Sequence, residues 1–137
     1  IEKLLPFMDR FEVVIGSRYA GLEAKVKQSI LRRIISRAGG ALIRMITGLR
    51  IQDTQCGFKL FTKEASDKIF SSLETYGWGF DIEVLLLATN FGYKIREVPV
   101  VWRDSEGSHV RAGQDSISTL IETIKISTKL NARQKTK

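Results

Sequence analysis

The strongest constraint on the fold is a change of hydrophobic period along the chain. Val13 to Ile15 form an apolar run too short for a helix, closed by Gly16 and Ser17, which reads as a buried strand entering a polar loop. From about Lys25 to Leu49 the period switches to that of a helix. Ile30, Leu31, Ile34, Ile35, Ala38, Ala41, Leu42, Met45 and Ile46 fill an arc of about 160°, which predicts a broad apolar face against the core. Gly39 and Gly40 are expected to bend this helix or to admit a close neighbour.

The alternation then repeats. Residues 62–73 read as a helix capped by Thr62, with Ala65, Ile69 and Phe70 inward. A second helix starts near Phe80 and ends over Asn90 to Gly92. "YKIREVPVVW" (93–102) is extended, and Pro99 places it at a sheet edge or a strand end. A last helix over 115–128 carries Ile117, Leu120, Ile121 and Ile124 on one face, followed by a frayed basic tail. Strands alternating with helices predict an α/β domain. Only three or four strands are visible, and Ile1 to Leu5 already read as part of a helix. The chain is therefore expected to be a piece of something longer.

Charge and cysteine usage narrow the function. Lys and Arg number 22 against 15 acids, a net charge of +7, which favours an anionic partner: a phosphorylated ligand, an acidic membrane or nucleic acid. One cysteine supports neither an internal disulfide nor a zinc cluster, and a reducing compartment follows. No apolar run approaches the roughly 20 residues that cross a bilayer, so any membrane contact would be at the surface.

Four sets of residues are candidates for chemistry. Arg18 stands just past a strand end, and Arg32 and Ser36 share one side of the long helix, four residues apart. The planar fork of arginine and a serine hydroxyl suit phosphate oxygens, although the same residues also describe a solvated helix face or a basic helix lying on a membrane. "DTQCGFKLF" (53–61) joins a polar loop to an apolar strand. There Asp53 is expected to cap local amides, Gly57 to take a backbone shape closed to other residues, and Cys56 to be a small buried group. Asp81 and Glu83 open a helix, where the dipole favours acids, but a two-residue spacing does not set them side by side. Trp78 and Phe80 are either core anchors or stacking surfaces. The sole histidine, His109, has no triad companion, and "DSE" (104–106) is not a convincing metal pair.

Taken in order, "VVIGSRY", "RRIISRAGGALIRMITGLRIQDTQCGFKLF", "WGFDIEVLLLA" and "GYKIREVPVVWRDSEGSHV" resemble family 2 glycosyltransferases, and within them the dolichyl- or polyprenyl-phosphate glucosyltransferases and their mannosyl relatives. The likeness runs from about residue 10 to residue 111. It implies the C-terminal part of a GT-A fold over residues 1–112, followed by an amphipathic helix and basic tail over 113–137. It also implies inverting transfer of a hexose, glucose from UDP-glucose, to a dolichyl or polyprenyl phosphate at the cytosolic face of a membrane. Nucleotide sugar, lipid phosphate and membrane surface are then the partners, with no role for nucleic acid.

By position, the resemblance assigns Arg18, Arg32 and Ser36 to the acceptor phosphate, and Asp53 and Glu83 to the catalytic centre. Arg103, Gly107, Ser108 and His109 fall on a loop that closes near the donor diphosphate, with His109 where relatives usually carry Lys. The expected Mg2+ or Mn2+ would be held by an Asp-x-Asp motif that precedes the residues present, so no metal ligand is assigned here. This fragment alone is expected to be inactive. Mannosyl transfer to the same lipid, a transferase acting on a sugar hydroxyl, and a non-enzymatic basic module for membrane or nucleic acid are the alternative readings.

Overall fold

The computed structural model describes residues 1–19, 30–101 and 114–135. Three strands form one sheet in the order β2-β1-β3, with β1 (Val13–Ser17) between β2 (Lys59–Phe61) and β3 (Ile95–Pro99). β1 runs antiparallel to β2 and parallel to β3, with Val14 opposite both Leu60 and Arg96. A central strand is covered on both faces, which is why its residues form a continuous apolar run instead of alternating. Val13 and Ile15 face the main core, whereas Val14 joins Leu4 and Val98 on the other side of the sheet.

Gly16 and Ser17 do not stop the strand, as the sequence suggested; they continue the β1–β3 ladder opposite Val98 and Pro99. Gly16 is needed for a close approach. A Cβ there would stand 3.1 and 3.2 Å from the Val100 methyls and 3.3 Å from Cys56 Sγ. The N-terminal residues form turns and a single 3-10 turn, Leu5–Phe7, in place of the expected helix.

The described residues also form four α-helices: α1 (Ile30–Thr47), α2 (Lys63–Ser71), α3 (Phe80–Asn90) and α4 (Gln114–Lys135). Thr62 caps α2 by accepting from Ala65 N, and Ala65 and Ile69 are buried, as the pattern predicts. Phe70 is partly exposed and instead packs its ring against Phe61 and Phe80. α3 is buried from Ile82 to Ala88, and its apolar residues run round the helix without a stripe. Among the described residues β3 is an edge strand, and it ends at Pro99, in line with both expectations for that proline.

Two helices differ from their sequence reading. α1 is continuous through Gly39 and Gly40, and among its described side chains the buried one is Ile43, with Ile34 59%, Leu42 40% and Met45 79% exposed. At about 100° per residue, Ile34 lies on the opposite side of the helix from Ile43. α4 extends through the supposedly frayed tail to Lys135. It buries Thr119, Thr123, Ile126, Ser127 and Leu130, while Ile117, Ile121 and Ile124 face outward. The Ser127 hydroxyl donates to the Ile46 carbonyl, tying α4 to α1.

Candidate active site

Arg18 is the first residue beyond β1, at the end of the parallel strand pair where ligands of α/β sheets commonly sit. Its backbone N–H and its Nε both donate to Asp53 Oδ2 at 2.8 Å, and its Nη2 donates to Oδ1 at 2.8 Å. This is the fork-to-fork geometry of a strong charge-assisted pair. Asp53 is 2% exposed, and its hydrogen bond holds the Arg18 guanidinium well above the ordinary arginine range. Arg18 is thus a permanent cation fixed in direction. Asp53 does not cap a local turn as expected; it grips a residue 35 positions earlier.

Asp53 is itself fixed from β3. The two Glu97 oxygens accept the consecutive amides of Gln52 and Asp53, each at 2.9 Å. The far end of the loop is held by Lys59, whose side chain is 5% exposed. Its Nζ donates to Asp81 Oδ1 at 2.7 Å and to the Cys56 carbonyl. The join between polar loop and apolar strand in "DTQCGFKLF" is thereby explained: its charges point to named partners, while Cys56, 2% exposed, packs over Gly16. Burial pushes the Cys56 thiol up, away from thiolate chemistry. Gly57 does not carry a positive φ; among the described residues only Gly48 and Gly92 do.

Asp81 and Glu83 turn to different partners. Glu83, 4% exposed, accepts from Thr75 N at 2.8 Å and more weakly from Glu74 N at 3.3 Å. It fastens the loop leading into α3. Glu122 of α4 accepts from Gly79 N, so the start of α3 is satisfied from another helix. Trp78 is 48% exposed, whereas Phe80 packs against the core.

Of the residues singled out in the sequence, the structure brings Arg18 and Asp53 into direct contact. Ser36 is half-buried on α1; Arg32 lies one turn before it, with its side chain outside the described residues. Arg103, Gly107, Ser108 and His109 lie outside the described residues altogether. Glu97 and Lys59 were not foreseen. The signal for Lys59 was present: a charge between Phe58 and Leu60 in a strand needs a partner. Glu97, on an edge strand, looked like an ordinary solvent-facing acid.

No family model matches the chain. The dolichyl-phosphate beta-glucosyltransferase of Saccharomyces cerevisiae is 39% identical over 132 residues, covering 85% of this chain. Those of Homo sapiens and Dictyostelium discoideum are 37% identical over 109 residues and 35% over 116 residues, covering 79% and 83% of it. The chain is a homologue of the dolichyl-phosphate beta-glucosyltransferases. It spans 39%, 34% and 36% of the length of these three curated relatives. The homology bears out the family 2 resemblance.

Proposed function

We propose that this chain is the acceptor side of a GT-A glycosyltransferase that moves glucose, with inversion, from UDP-glucose to dolichyl phosphate at the cytosolic face of a membrane. The observation that carries the reading is Arg18, held by three hydrogen bonds to Asp53 at the end of β1. A lipid phosphate monoester is mostly dianionic at neutral pH, given a second pKa of about 6. Such a nucleophile requires orientation and charge neutralisation more than a strong base. Arg18, with Arg32 and Ser36 on α1, would supply both. With both oxygens committed to Arg18, Asp53 serves as a positioning group and not as a proton acceptor.

The carboxylates described do not form a cation site. Asp53, Asp81, Glu83, Glu97 and Glu122 each accept from N–H or ammonium donors, and no group of three metal-ligand side chains stands together among the described residues. The resemblance assigns the divalent ion to a motif that precedes the residues present, and none of the steps above depends on it.

Contact with a membrane surface is supported by the outward isoleucines of α4 and the outward Ile34, Leu42 and Met45 of α1 on a chain of net charge +7. No described helix is long and apolar enough to cross a membrane. The test is transfer from radiolabelled UDP-glucose to dolichyl phosphate by the full-length protein, with Arg18→Ala as the variant. Loss of a charge-assisted phosphate contact worth about 2 kcal/mol predicts a roughly 30-fold lower kcat/KM for the lipid. Unchanged transfer by Arg18→Ala would remove the basis of the reading.

A further inference from the structure

Glu97 closes a polar ring that couples β3 to Arg18. It stands opposite Ile15 in the parallel β1–β3 ladder, two residues before the point where Pro99 meets Ser17. Its Oε2 accepts Gln52 N and its Oε1 accepts Asp53 N, both at 2.9 Å. Asp53 passes the constraint to Arg18 through the backbone N–H, Nε and Nη2. The ring returns to the end of β3, where Val100 N, one residue past the strand, donates to the Ser17 carbonyl at 3.1 Å. Two consecutive amides held by one carboxylate cannot rock about a single hydrogen bond, so the direction of the Asp53 side chain is set from β3. No sequence-local interaction does this: Glu97 lies 44 residues from Asp53 and the latter 35 from Arg18.

We propose that Glu97 is a positioning residue for the acceptor phosphate, acting through Asp53 to aim the Arg18 guanidinium. This rests on the acceptor-side reading above for its functional half and on the hydrogen bonds alone for its structural half. Glu97→Gln is a suitable perturbation. An amide has one acceptor oxygen, and its NH2 would face a backbone N–H, so one of the two bonds is lost and replaced by a donor–donor contact. Glu97→Asp keeps the charge but is one methylene shorter and reaches one amide, not both.

The experiment has two readouts on the full-length protein. In the first, phenylglyoxal modification of Arg18 is followed by peptide mass mapping, with exposed Arg10 and Arg50 as internal references. Glu97→Gln is expected to raise the Arg18 rate about fivefold relative to both references, and Glu97→Asp to fall between it and the parent. The shorter acid keeps the test intact where the amide variant fails to fold. Adding Glu97→Gln to Asp53→Asn is expected to change nothing further. An Arg18 rate unmoved by both Glu97 variants overturns the inference, whatever the activity. In the second readout, Glu97→Gln raises KM for dolichyl phosphate about tenfold and leaves KM for UDP-glucose unchanged. A merely structural role would lower the active fraction, and so kcat, without that split, which overturns the functional half. A released Arg18 in a protein that does not glucosylate dolichyl phosphate refutes the proposed activity and leaves the positioning intact.

Discussion

Gly79 offers a sharp test of how α4 is seated. Its backbone lies at φ −77° and ψ −8°, a conformation that alanine adopts without strain, so replacing it tests space alone. A Cβ at this position would come within 2.7 Å of Ile126 Cδ1, 3.0 Å of Glu122 Oε2 and 3.1 Å of Glu122 Cβ. Ile126 belongs to the main core and Glu122 accepts from Gly79 N, so neither can retreat without loss. Relieving the overlap means shifting α4 or abandoning rotamers, which costs typically 1–3 kcal/mol. Gly79→Ala is therefore expected to destabilise the chain by on the order of 2 kcal/mol in urea unfolding. Gly39→Ala is the matched control. A Cβ at Gly39, in the interior of α1, meets nothing within 4 Å, and the exchange should stabilise by about 0.5–1 kcal/mol. If both variants moved in the same stabilising direction, the close packing of α4 over the start of α3 would be refuted.

The Tyr93 hydroxyl is buried without a hydrogen-bond partner among the described residues, so Tyr93→Phe is expected to stabilise by roughly 1 kcal/mol; a loss in thermal unfolding would contradict this. Because burial raises the Cys56 thiol, the unfolded chain loses that proton first as pH rises. The contribution of the protonated thiol is full below about pH 8.5 and declines above it. The stability advantage of the parent over Cys56→Ala should thus shrink between pH 7.5 and pH 9.5 in paired urea titrations. Met45, 79% exposed on the outer side of α1, lies within the proposed membrane-facing surface. Met45→Glu should weaken sedimentation with anionic vesicles several-fold while leaving the unfolding midpoint in place, and unaltered sedimentation would count against that surface.

Local pattern carried a great deal. The β1 run, the Thr62 cap, the stop at Gly92, the edge position of Pro99 and the α/β class all depend on neighbours within a few residues, and all are found in the structure. The order of motifs also pointed to the glucosyltransferase homology that the relatives bear out. Amphipathic faces were another matter. The outer stripes of α1 and α4 are as apolar as a core stripe, and periodicity reports that a face is apolar without saying what covers it. Only packing decided that α1 buries Ile43 and that α4 turns Thr119, Thr123 and Ser127 inward.

The candidate site divides in the same way. Sequence alone singled out Arg18, with Arg32 and Ser36, as residues whose chemistry suits a phosphate, and the resemblance assigned Asp53 to the catalytic centre. That they form one ion pair, that Glu97 holds its loop, and that Lys59 ties that loop to Asp81 are contacts between residues 22 to 45 positions apart. Hydrogen bonds of that span leave no periodic trace, because they are made by strands and loops that meet only once the sheet has formed. Composition made the chain basic and the alternation of hydrophobic periods made it α/β; tertiary structure decided how Arg18 is aimed, and by what.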